Sequence, residues 1–123
     1  MIKKTSLLLL FILLGLATVS AQKSISITGR LIDADTNETL PFANVSVNRF
    51  SDNVLVTGAV TDDDGKFLIE NIPVDTYAIY FSYLGYEGAT QKIITSGLNT
   101  VFDLGRIALS PDAEMLNEIE VIG

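Results

Sequence analysis

Ser24-Ile-Ser-Ile-Thr-Gly-Arg-Leu-Ile-Asp33 is the stretch whose reading decides the fold. Ile25, Ile27, Gly29 and Leu31 fall on one phase of the two-residue strand repeat, and Ser24, Ser26, Thr28 and Arg30 take the other. A strand with one apolar and one polar face must lay the apolar one against a second layer. Asp33 ends the alternation, and Ala34-Asp-Thr-Asn-Glu-Thr39 follows as a polar loop.

The same grammar repeats toward the C-terminus. Pro41 restricts the chain, and Ala43 to Asn48 alternates again with Val45 and Val47 expected inside. Val54 to Thr61 reads as a third strand, and Asp62-Asp-Asp-Gly65 as a tight turn whose glycine reaches positive φ cheaply. Lys66 to Glu70 is expected to return as its hairpin partner, and Asn71-Ile-Pro-Val-Asp75 to form the next turn. Tyr77, Ile79, Phe81 and Tyr83 make an aromatic-rich phase suited to a central strand. Gly85-Tyr86 ends it, Ala89 to Thr95 is a weaker strand, and Val101 to Leu109 the last. The pattern predicts an all-β domain, an antiparallel sandwich of about seven strands. The strands are too few and too short for a membrane barrel, which starts at ~8 strands of ~9 to 11 residues.

Upstream, Lys3 and Lys4 precede Leu7 to Ala17, an apolar run that closes on Val19-Ser-Ala21. Residues 1–21 read as a cleaved secretory signal peptide. Spanning a bilayer takes ~20 apolar residues, and Thr18, Ser20, Gln22 and Lys23 break the run too early for that. Residues 22–109 are then the sandwich and residues 110–123 an extended tail. Loss of Lys3 and Lys4 leaves 6 basic against 15 acidic side chains, a net charge of −9. Such a surface repels nucleic-acid phosphates and argues against direct membrane insertion or an electrostatic hold on lipid by the 22–123 segment.

The chain contains no histidine and no cysteine. Ser-His and Cys-His nucleophile arrangements are excluded, as are disulfides and a lipidated thiol. The acidic residues fall in turns, where they read as solvated turn formers, so no catalytic residue and no cofactor is expected. Asp33-x-Asp35-x-Asn37 begins like a calcium loop but carries Glu38 where glycine is needed and Asn44 where the bidentate glutamate belongs. Asp62-Asp-Asp64 groups hard oxygen ligands in one turn without further support, and no metal ligand is assigned. In the tail, Glu118-Ile-Glu-Val-Ile122 alternates charged with β-branched residues, a pattern that fits addition to a partner sheet as well as it fits a frayed terminus.

Several of these runs carry a family likeness. Ile27-Thr-Gly-Arg-Leu-Ile-Asp33, Leu40-Pro-Phe-Ala-Asn-Val-Ser-Val47, Thr61-Asp-Asp-Asp-Gly-Lys-Phe67, Asn71-Ile-Pro73, Tyr77 and Gly85-Tyr86 together resemble the carboxypeptidase regulatory-like domain, over nearly the whole mature chain. The resemblance implies a transthyretin-like, Ig-like sandwich without catalytic residues of its own. In Bacteroidetes such domains sit before the plug of TonB-dependent outer-membrane receptors. Leu116-Asn-Glu-Ile-Glu-Val-Ile-Gly123 is similar to the TonB-box-like segment that follows the domain there. By that likeness Glu118, Ile119, Glu120, Val121 and Ile122 would pair with a TonB-like energy-transducing protein. Asp75 stands where the family pattern usually has glycine, and Ile122-Gly replaces Thr-Gly at the end.

The resemblance therefore implies a periplasmic module at the outer membrane that serves import of a glycan, peptide or chelated metal, with plug and barrel downstream if the chain is a fragment. Two other readings stay open. One is a free-standing periplasmic binding or adaptor module using loop Asp33 to Thr39 or a sheet edge; the other is an accessory domain of a secreted peptidase.

Overall fold

The computed structural model describes residues 23–113, so the expected signal peptide over residues 1–21 lies outside it. Every named element is a strand: β1 (Ser24–Asp33), β2 (Asn44–Arg49), β3 (Leu55–Val60), β4 (Lys66–Pro73), β5 (Thr76–Ser82), β6 (Ala89–Ile94) and β7 (Val101–Leu109). They form a three-stranded sheet in the order β4-β1-β7 and a four-stranded sheet in the order β3-β2-β5-β6. The seven-strand sandwich read from the alternation is the fold observed.

The core is the set of residues the alternation placed inward. Ile25, Ile27 and Leu31 from β1 meet Val45, Val47, Tyr77, Ile79 and Phe81 from the opposite sheet, all at most 2% exposed. Each full burial of such an aliphatic or aromatic side chain stabilises the fold by ~1.5–3 kcal/mol. Gly29 holds an inward place in β1 because Phe67 covers it. A Cβ there would stand 2.8 Å from the Phe67 ring, which in turn packs on Phe81 with centroids 5.7 Å apart. β5, the aromatic-rich strand, lies between β2 and β6 as expected.

Three expectations are corrected. First, the sandwich is not wholly antiparallel, because β1 and β7 run parallel, with Ser26 opposite Val101 and Asp33 opposite Leu109. The first and last strands enter the same sheet from the same end, and neither alternation nor turn chemistry encodes that. Second, β3 and β4 are not a hairpin but belong to different sheets. The turn between them is tight, with Asp62 N–H donating to Lys66 O at 2.8 Å. Buried Thr61 fixes where the chain leaves the first sheet: its hydroxyl accepts from Ala43 N at 2.8 Å and donates to Leu40 O at 2.6 Å. Across the turn, Leu31 N–H donates to Gly65 O at 2.8 Å and draws the returning chain onto β1.

Third, Asn71, Ile72 and Pro73 are strand, not turn. Ile25 faces Ile72 whereas Ile27 faces Ile69, so β4 carries one extra residue opposite Ser26. That bulge, with Asn71 at φ 59°, shifts the phase so that Ile69 and Ile72 both face the core despite their odd spacing. The turn shrinks to Val74 and Asp75. Asp75 is not among the positive-φ residues, so the glycine usual in the family pattern is not required here. Thr95 braces this turn, accepting from Asp75 N at 2.9 Å and donating to Asp75 O at 2.7 Å.

Candidate functional site

The sequence candidates Glu118, Ile119, Glu120, Val121 and Ile122 lie outside the described residues. The structure does describe the place from which that segment departs. After β7, Glu87 N–H donates to Ser110 O at 2.8 Å and Asp112 N–H to Gly85 O at 2.9 Å, while Pro111 bridges Tyr86. The first residues of the expected tail are thus docked on the β5–β6 connection instead of leaving freely.

That connection is itself held. Tyr83 and Tyr86 pack with ring centroids 5.5 Å apart, and the Tyr86 hydroxyl donates to Asp33 Oδ2 at 2.5 Å. Asp33 Oδ1 accepts the backbone N–H groups of Asp35 at 2.7 Å and Thr36 at 3.0 Å. This is an aspartate turning the chain through its own loop. The Tyr86 hydroxyl, followed by these two amides, holds the Asp33 carboxyl below its usual value. In return, the hydrogen bond to Asp33 pushes the Tyr86 hydroxyl up to about 12. One carboxylate therefore links the end of β1, the loop after it, the β5–β6 connection and the root of the tail.

In the two acidic turns weighed for calcium, the leading aspartates Asp33 and Asp62 already accept hydrogen bonds. Both oxygens of Asp33 are engaged as described, and Asp62 Oδ1 accepts from Asp64 N and Lys66 N, each at 2.9 Å. Among the described residues no three His, Cys, Asp or Glu side chains converge to hold a metal ion. The Asp33–Tyr86 pair was missed by sequence reading because the partners stand 53 positions apart; its one sequence signal is that Asp33 directly follows the apolar Leu31 and Ile32, and the structure shows it buried.

Two surfaces remain open to partners. The sheet orders leave β3, β6, β4 and β7 as edges, and around β3 the side chains of Val54, Leu55 and Val60 are each more than half exposed. On the outer face of the three-stranded sheet a groove of about 390 Å³ is lined by Thr28, Gly29, Arg30, Lys66, Asp103, Gly105 and Arg106.

Comparison with known proteins gives three results. The family pattern described as a CarboxypepD_reg-like domain matches residues 27–121. The serine-aspartate repeat-containing protein D of Staphylococcus aureus is 38% identical over 80 residues, which is 56% of this chain but 6% of that protein. Among solved structures, the group B streptococcus pilus 2b backbone protein superposes with a TM-score of 0.56 at 21% identity, covering 76% of this chain and 43% of its own. Chlorocatechol 1,2-dioxygenase from Pseudomonas putida gives 0.54 at 15% identity, covering 72% and 61%. A pilus protein and a dioxygenase sharing the sandwich at such identities establish the fold alone. The chain spans a small part of the curated relatives' length.

Proposed function

The chain belongs to the carboxypeptidase regulatory-like domain family, and from that premise we propose that it is a non-catalytic periplasmic module of a TonB-dependent outer-membrane receptor. The observation that carries this reading is the extent of the family match. It runs to residue 121, beyond the last strand at Leu109 and into the Glu118 to Ile122 segment, which supports reading the sandwich and the segment after it together.

In this reading the sandwich is an anchor and the tail a docking strand. Glu118 to Ile122 adds to an edge of a TonB-like energy-transducing protein through backbone hydrogen bonds, with the glutamates facing water. The bonds from Glu87 to Ser110 and from Asp112 to Gly85 seat the root of that strand on the sandwich. The absence of histidine and cysteine fits a part that performs no chemistry and serves import by a downstream plug and barrel. The coding sequence beyond Gly123 tests the receptor assignment: a plug and a run of alternating barrel strands are expected, and an immediate stop codon would remove them.

The open, apolar β3 edge favours a second reading, a free-standing adaptor that recruits an extended peptide by strand addition. Binding of periplasmic extract proteins by the purified chain, lost on Leu55→Lys, would favour it over the receptor reading.

A further inference from the structure

Arg30 is directly opposite Lys66 on one side and Arg106 on the other, so three cations form one row across the three-stranded sheet. Neighbouring strands lie ~4.8 Å apart, and like charges set directly opposite destabilise a sheet. This row occurs in a protein whose acidic residues outnumber its basic ones 15 to 8. Arg106 reaches the row through a distortion. Between Thr28 and Arg30 on β1 the facing strand advances from Asp103 to Arg106, one residue too many, and Gly105 sits at φ 69°. Without that bulge Arg106 would fall on the core phase of β7; with it, the side chain joins Arg30 on the outer face.

No salt bridge found among the described residues includes a member of the row. The ion pairs among the described residues belong to Arg49, with Asp52 and Asp75. Two carboxylates neighbour the row and each spends an oxygen on backbone, Asp103 Oδ1 accepting from Gly105 N at 2.9 Å and Asp62 Oδ1 from Asp64 N and Lys66 N, while the charges of Lys66 and Arg30 also help hold the Asp62 carboxyl below its usual value. Arg30 Nε is buried with no hydrogen-bond acceptor among the described residues. Gly29 and Gly105 contribute no side chains, which leaves the row at the floor of the groove described above.

We infer that this groove binds a doubly charged phosphate group carried on a soluble ligand, with Arg30 and Arg106 gripping its oxygens and Lys66 adding charge. Two guanidinium forks and an ammonium outnumber the two neighbouring carboxylates, Asp62 and Asp103, and guanidinium geometry suits bidentate contact with phosphate oxygens. A soluble carrier fits better than a bilayer headgroup, because the chain as a whole carries a net charge of −7 and is repelled by an anionic membrane. This site is independent of the receptor reading, since none of its residues lies in the tail or its root.

The test is a titration of the uniformly 15N-labelled chain with inorganic phosphate at fixed ionic strength, followed by amide shifts. Saturable shifts centred on Arg30, Lys66, Gly105 and Arg106 are expected. Arg30→Gln and Arg106→Gln should each weaken the affinity by about tenfold, and Lys92→Gln on the other sheet should not change it. Retained dispersion of the core amides in each variant separates loss of binding from loss of fold. Sedimentation with phosphatidylcholine vesicles, with and without phosphatidic acid, separates a soluble source from a lipid one. No saturable shift, an equal response to chloride, or a response to phosphatidic acid vesicles alone would overturn the assignment.

Discussion

The hydroxyl of Tyr86 donates to Oδ2 of Asp33 at 2.5 Å, joining the connection after β5 in the four-stranded sheet to the end of β1 in the three-stranded one. Because Ser110, Pro111 and Asp112 rest on that same connection, the pair also fixes where the chain leaves the sandwich.

Its protonation states set a pH dependence with two limbs. The Asp33 carboxyl is held below its usual value in the folded state, so its contribution is present above about 3.8 and is lost as pH falls through the depressed folded value. The Tyr86 hydroxyl is raised from 10.0 to about 12, so its contribution is complete below pH 10 and disappears as pH climbs toward 12. Thermal melts across pH should show Tyr86→Phe shrinking the alkaline limb, the rest of which belongs to Tyr77, whose hydroxyl is also raised by burial. The acid limb should shrink without vanishing, because the amides of Asp35 and Thr36 still hold Asp33.

Thr61 is a buried hydroxyl that serves two backbone groups, Ala43 N and Leu40 O. Thr61→Val keeps the shape and orphans both, at a cost of about 1–3 kcal/mol. Urea unfolding at neutral pH measures it, and Thr57→Val, on the partly exposed edge strand β3, is the control, expected to change little.

Phe42 stands at φ 60°, an uncommon conformation for a bulky side chain, and is 66% exposed. Phe42→Gly relieves backbone strain while giving up little burial, so stability should stay within about 1 kcal/mol of the parent. Phe81→Ala, which empties a core place beside Phe67, should lose about 3–5 kcal/mol by the same assay.

Gly65 combines φ 74° with a backbone oxygen, Leu31 O, 2.7 Å from where a Cβ would stand. Gly65→Ala should therefore cost more than the ~1–2 kcal/mol of a left-handed backbone alone. Gly105→Ala, at φ 69° with nothing within 4 Å, should cost only that backbone share. Paired denaturation curves give the difference.

What the sequence disclosed was local in kind. β1 and β7 have the bounds that alternation alone predicted, and Ile25, Ile27, Val45, Val47 and Phe81 face inward because a two-residue repeat leaves them no other face. What it hid depends on register or on which sheet a strand joins. The Asp62 to Lys66 turn has hairpin chemistry in either arrangement, and it is the ladder with β1, starting at the Leu31–Gly65 bond, that holds β4 in the other sheet. Asn71 reads as a turn residue because its positive φ serves a bulge inside a strand. Arg30, Lys66 and Arg106 are unremarkable surface cations until pairing aligns them, and Asp33 and Tyr86 meet only through the closure of the sandwich.

The central claim is that Glu118 to Ile122 is a docking strand on an inert sandwich, and calorimetric titration of the purified chain with the periplasmic domain of a TonB-like protein addresses it most directly. Binding is predicted for the parent chain and for Ile119→Val, which keeps the backbone donors. It is predicted to be abolished by deleting Glu118 to Gly123 and by the double substitution Ile119→Pro, Val121→Pro, which removes two backbone N–H groups. Binding left unchanged by the deletion would contradict the claim.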